Sequence, residues 1–100
     1  MIRHIVMFRM KEEYSEEDKR KYAFQIKDKL DTLPALISCI KKMEVGVDIL
    51  RSDRSYDVVL TADFENMEDL NEYTINPHHV EAVQLVRQHR DLIAVVDYLV

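Results

Sequence analysis

Apolar positions along this chain switch between a period of two and a period of three to four, and the switches divide it into seven segments. In Ile2–Met10, Ile2, His4, Val6, Phe8 and Met10 share one face, while Ile5 and Met7 lie on the other between Arg3 and Arg9. This predicts a strand covered on both sides. Lys11–Tyr14 is a polar connector. Ser15 before Glu16-Glu17-Asp18 predicts a helix start, with the serine accepting from the Asp18 N–H and the acidic first turn facing the positive end of the dipole. Tyr22, Ala23, Ile26, Leu30 and Leu33 recur at helical spacing, and Pro34 is expected to end this helix of about 18 residues. Cys39–Leu50 reads as a second strand. Its charged positions, Lys42, Glu44 and Asp48, suit a sheet edge, and Gly46 predicts a bulge or bend. After a charged turn, Arg51–Ser55, the third strand is expected at Tyr56–Phe64, with Tyr56, Val58, Leu60, Ala62 and Phe64 inward and Asp57, Val59, Thr61 and Asp63 outward. Asn66 then caps a short helix carrying Met67, Leu70 and Tyr73. Asn76 and Pro77 open another with Val80, Val83, Val86 and Arg87, which fades near His89. Leu92–Val100 is the last strand.

The order β-α-β-β-α-α-β predicts an α+β, ferredoxin-like fold with a four-stranded antiparallel sheet. Right-handed crossovers place every helix on one face. The other face would then show Ile5, Met7, Val59, Ala94, Val96 and Tyr98 to water. Burying six such side chains is worth on the order of 10 kcal/mol gross, comparable with the net stability of a domain. The expected partner is therefore a second copy of the chain, the two sheets closing face to face into a dimeric α+β barrel. The competing reading is a monomer whose outer face is made half polar by Arg3, Arg9, Asp57 and Asp63.

The chain has 100 residues, 47% of them apolar and 33% charged, which fits one domain spanning 1–100. A net charge of −5 argues against a nucleic-acid partner. The longest apolar run, Leu92–Val96, is far short of a membrane span. The opening Met1-Ile2-Arg3-His4 lacks the features of a signal peptide. Cys39 is the only cysteine, so an intramolecular disulfide is impossible and a cytoplasmic location is expected.

Three residues are candidates for catalysis: His4, Tyr73 and His79. His4 faces the helices. His79 is the third residue of the helix opened by Asn76-Pro77, and a helix N-terminus disfavours imidazolium, leaving a neutral ring able to take a proton. Tyr73 ends the preceding helix. If the two helices meet at a bend, Tyr73 and His79 flank one cavity with His4 on its floor. Such a trio could run acid–base chemistry on a small carbonyl or phenolic molecule. The plainer reading is that these groups only satisfy core hydrogen bonds. His78 and His89 are expected at the surface. No metal site is expected, because adjacent histidines diverge on a helix. Cys39 reads as a buried thiol, a single glycine cannot build a phosphate loop, and no cofactor is implied.

The opening Ile2-Arg3-His4-Ile5-Val6-Met7-Phe8-Arg9-Met10-Lys11 resembles the start of the stress-responsive A/B barrel domain (Dabb) proteins. Leu33-Pro34-Ala35-Leu36, Val45-Gly46-Val47-Asp48, Tyr56-Asp57-Val58-Val59-Leu60, Tyr73 with Asn76-Pro77-His78-His79-Val80, and Val96-Asp97-Tyr98 resemble further words of that family in the same order. The resemblance covers essentially the whole chain and implies a dimeric α+β barrel. Family members include stress-induced plant proteins and a plant polyketide cyclase. In that enzyme a tyrosine and a histidine matching Tyr73 and His79 work in a pocket between sheet and helices, lined by a histidine matching His4. Val58 stands here in place of a further histidine of the cyclase, and Asn76 replaces the histidine that precedes proline in many members; both argue against polyketide cyclisation. The function expected is binding of a small, largely apolar molecule with His/Tyr cyclase- or lyase-like chemistry. The alternative is a non-catalytic stress-responsive assembly protein.

Overall fold

Eight elements follow one another as β1 (Ile2–Met10), α1 (Glu16–Leu30), α2 (Leu33–Leu36), β2 (Lys42–Val47), β3 (Val58–Phe64), α3 (Met67–Ile75), α4 (Pro77–His89) and β4 (Arg90–Leu99), in a computed structural model that describes Met1–Val100. The strands form one antiparallel sheet in the order β2-β3-β1-β4. This is the α+β, ferredoxin-like arrangement expected from the element order, with the charged strand β2 at an edge.

The helix starts are where their capping residues place them. Ser15 Oγ accepts from Asp18 N at 3.1 Å, Asn66 Oδ1 from Asp69 N at 3.0 Å, and Asn76 Oδ1 from His78 N at 2.9 Å. Each acceptor satisfies a first-turn N–H that has no partner inside its helix. Asn76 also ends α3, in an extended conformation. The chain therefore bends between two helices at a single residue.

Several boundaries differ from the sequence expectation. α1 stops at Leu30, where the Asp31 N–H closes onto Lys27 and Lys29, and Pro34 does not terminate it. Pro34 lies instead in the first turn of α2, where a missing N–H costs nothing. β2 is confined to Lys42–Val47, so Cys39 lies outside it. β3 starts at Val58 rather than Tyr56, and β4 starts at Arg90 rather than Leu92. Gly46 makes neither bulge nor bend: β2 pairs with β3 without a break, and a Cβ there would sit 3.5 Å from Val59 Cγ1, an ordinary contact. The irregularity lies between β1 and β4. Arg9 pairs with Leu92 but Met10 pairs with Arg90, so Asp91 is the extra residue of a bulge.

The core sits between the helices and the inner face of the sheet. Val6, Phe8, Met10, Val58, Leu60 and Phe64 meet Ala23, Ile26, Leu30 and Leu33 from the first helical segments, with Leu70, Ala82 and Val86 from the later ones. Val80 is exposed, because Ala82 and Val86 define the inner face of α4. Asp57, expected on the outer face, is only 3% exposed. It accepts from Met10 N at 2.6 Å and from Arg51 Nη2 at 2.8 Å, tying the end of β1 to the β2–β3 turn. Arg51 adopts φ 59° in that turn and is held there by Glu16, Asp48 and Asp57.

Helices cover only one face. On the other, Met7 is 37% and Val96 54% exposed, with Val59 and Tyr98 also open to solvent. Arg3 and Asp63 neutralise each other there through two hydrogen bonds, Nε to Oδ1 at 2.8 Å and Nη2 to Oδ2 at 3.0 Å. Strand β4 is exposed on both faces, with Ile93 and Val95 on its helix side 45% and 54% exposed.

Candidate functional site

The bend at Asn76 brings Tyr73 and His79 together. Their ring centroids are 4.3 Å apart, and the Tyr73 ring also stands edge-on to His4 at 6.3 Å and against Phe64 at 5.0 Å. The three residues singled out from the sequence thus line one cavity of about 210 Å³ between the sheet and α4. Its walls are mainly apolar, with Val6, Phe8, Leu30 and Leu60 on one side and Val83 and Val86 on the other.

Each polar group has a definable state. His79 Nδ1 lies 2.9 Å from the Thr74 carbonyl oxygen. A carbonyl only accepts, so Nδ1 carries the proton and Nε2 holds a free lone pair. Burial lowers the His79 pKa; the Thr74 carbonyl opposes that shift and His4 adds to it. The ring is therefore neutral at neutral pH. Tyr73 is 2% exposed, and burial holds its phenol above the usual range, so it stays protonated and acts as a donor. Its hydroxyl makes no hydrogen bond within the chain, yet no fully enclosed side-chain oxygen or nitrogen is left without a partner. The hydroxyl therefore faces the cavity.

His4 belongs to a pair that sequence reasoning missed. Its Nδ1 lies 2.5 Å from Asp97 Oδ1, across the β1–β4 ladder in which the two residues are direct partners. The carboxylate fixes Nδ1 as the protonated nitrogen and leaves Nε2 for the cavity. Asp97 was visible as the one charge inside the apolar run of β4, but only the register identifies its partner.

His89 is not a free surface residue, contrary to expectation. It stacks on Tyr22 at 3.9 Å and lies 3.0 Å from the Tyr14 hydroxyl through Nδ1, and it is not among the residues lining the cavity. His78 is exposed. Cys39 is half-buried, its thiol donates to the Asp69 carbonyl, and burial pushes its pKa up, which suits an inert thiol. A second hollow of about 300 Å³ lies beside Arg51, whose guanidinium is already occupied by Glu16, Asp48 and Asp57. No group of three or more His, Cys, Asp or Glu side chains is placed to hold a metal ion.

The model of the stress responsive A/B barrel domain matches residues 2–100. The chain belongs to this family. Among solved structures, this Dabb chain is similar to a dimeric protein of unknown function with a ferredoxin-like fold from Bacteroides fragilis, at 31% identity and a TM-score of 0.89, over 97% of this chain and 93% of that one. It is similar in fold to the hydroxynitrile lyase of Passiflora edulis, at 22% identity and a TM-score of 0.79, over 99% and 92% of the two chains. By sequence it is 22% identical to the olivetolic acid cyclase of Cannabis sativa over 99 residues, 97% of this Dabb chain and 94% of the cyclase. No helix of this Dabb protein is long and apolar enough to cross a membrane.

Proposed function

We propose that this Dabb protein is a homodimer that binds a small, largely apolar molecule in each sheet–helix cavity and acts on it by acid–base chemistry at Tyr73, His79 and His4. The observation that carries this reading is the meeting of an unpartnered tyrosine hydroxyl with a neutral histidine whose Nε2 is free, inside an apolar cavity. A general base must be neutral at working pH and within reach of the proton it removes, and a low-dielectric wall strengthens the donor opposite it.

The reaction class this supports is making or breaking a carbon–carbon bond beside an oxygen. In the cleavage direction, His79 Nε2 takes the proton of a substrate hydroxyl. The carbon–carbon bond breaks, its electron pair leaves with the departing carbon, and a carbonyl forms. The imidazolium then returns the proton to the leaving group. Tyr73 donates to the substrate oxygen, and the Asp97-held His4 positions or relays a proton. A cyclase and a hydroxynitrile lyase stand among the similar proteins, and both names are consistent with this class. The open sheet face supports the homodimer, as do the dimeric descriptions of similar structures. The lone cysteine suits a reducing cytoplasm.

The test is a turnover assay with mandelonitrile as a cyanohydrin and 4-hydroxy-4-methyl-2-pentanone as a β-hydroxy ketone, for wild type, Tyr73→Phe and His79→Gln. Turnover of either compound by wild type, reduced at least a hundredfold in both variants, supports the reading. Absence of turnover, together with no saturable binding of either compound, would leave a non-catalytic structural protein as the better account.

A further inference from the structure

The same cavity has a second polar end. Along α4, His79 and Arg87 are eight residues apart on one face, about 12 Å at the helical rise. Along β1, His4, Val6 and Phe8 run the same way, His4 to Phe8 spanning about 13 Å. The acid–base trio stands at one end of this trough and Arg87 and Arg90 line the other. No Asp or Glu lines it at all, although the chain carries 19 acidic residues against 14 basic ones. Neither arginine forms an ion pair, whereas Arg3 and Arg51 are both held by carboxylates.

Placement of Arg90 depends on the bulge. Leu99, Asp97, Val95 and Ile93 alternate onto the helix side opposite Ile2, His4, Val6 and Phe8. Regular alternation would put Asp91 next on that side and turn Arg90 away. The extra residue reverses this, so Arg90 stands opposite Met10 and lines the cavity. Arg87 also lies in the last turn of α4, where a cation favours the helix dipole. That accounts for a positive charge at position 87 but not for a strand irregularity that exchanges an aspartate for an arginine at the cavity wall.

We infer that the molecule bound here is an elongated carboxylate, with its anionic head on Arg87 and Arg90, its apolar body along the trough, and its reacting group beside Tyr73 and His79. The inference rests on the small-molecule reading above and adds the substrate class. Arg90 is half-buried and Arg87 exposed, and the guanidinium fork of each matches a carboxylate.

The test compares octanoate with octanamide by isothermal titration calorimetry, on wild type and on the Arg87→Gln/Arg90→Gln double variant, with thermal melts to establish that the variant is folded. Octanoate should bind wild type at least tenfold more tightly than octanamide, with a preference that shrinks as salt is raised. The double variant should bind both about equally, octanoate having lost its advantage. Equal binding of the two probes by wild type, or a preference that survives in the double variant, would overturn the carboxylate inference and leave the cavity reading standing. Failure of both probes to saturate would count against the cavity reading itself, and the carboxylate inference would fall with it. Should the double variant not fold, the single Arg90→Gln variant carries the same comparison, with loss of preference expected and full retention contradicting.

Discussion

Replacing Tyr73 by phenylalanine separates a functional hydroxyl from a structural one. The side chain is 2% exposed and packed against Phe64, His4 and His79, so the ring contributes to the core and is retained in the variant. Only the oxygen is removed. A buried hydroxyl left without a partner costs roughly 1–3 kcal/mol, and one touching a cavity recovers part of that from water. Tyr73→Phe should therefore leave stability unchanged or raise it by up to about 1 kcal/mol. In a domain of this size that is a Tm increase of between zero and about 6 °C. Tyr14 provides the control. Its hydroxyl lies 3.0 Å from His89 Nδ1, so Tyr14→Phe should lose about 0.5–1.5 kcal/mol and melt lower. Differential scanning calorimetry of the three proteins in one buffer reads both effects. A Tyr73→Phe variant destabilised by more than about 1 kcal/mol would refute the reasoning, because it would mean that the hydroxyl holds the fold together and does not face a ligand.

Burial lowers the pKa of His79 and of His89 below the ordinary 6.5. Between 6.5 and those lower values the unfolded chain binds more protons than the folded one. Stability should thus be greatest above the ordinary histidine value and fall as pH drops below it. Glu16, Asp63 and Glu81 are held low by arginine or lysine partners and lose their contribution only at more acid pH, so the window belongs to the histidines. Melts across pH 5–7.5 check this, and His79→Gln should flatten the slope; an unchanged slope contradicts it. Asp57→Ala leaves the Met10 N–H and one arm of Arg51 unpaired and should cost about 3 kcal/mol in urea denaturation, with Asp57→Asn recovering part; a loss under 1 kcal/mol would deny the aspartate its structural role. Val96→Glu places a charge on the open sheet face. Sedimentation equilibrium should then give one chain mass of 11.9 kDa, against twice that for wild type, and a monomeric wild type at micromolar concentration would remove the homodimer.

Much of this was readable from residue pattern. Alternating parity gave the inner and outer faces of β1 and β3, and Ser15, Asn66 and Asn76-Pro77 marked helix starts by chemistry that acts within three residues. The convergence of His4, Tyr73 and His79 was legible because each lies at a fixed place on a locally determined element. What escaped depends on contacts distant in sequence. Asp97 meets His4 only through the β1–β4 register, and Arg90 reaches the cavity only through a bulge that no glycine announces. Gly46, which looked like the site of a bulge, sits in a regular ladder. Asp57 shared the parity of the outer face, yet its position at the end of the sheet let it turn inward to Met10 and Arg51. Pro34 marks a helix boundary, but it starts the next segment instead of closing the last one.

The availability of His79 as a base is what the functional account requires most directly. Long-range ¹H–¹⁵N correlation spectra of the histidine rings at pH 7 read it without any substrate. The account predicts a neutral His79 ring with its proton on Nδ1 and an unprotonated Nε2, whose resonance moves when octanoate is added. An imidazolium, or a neutral ring carrying its proton on Nε2, would contradict it.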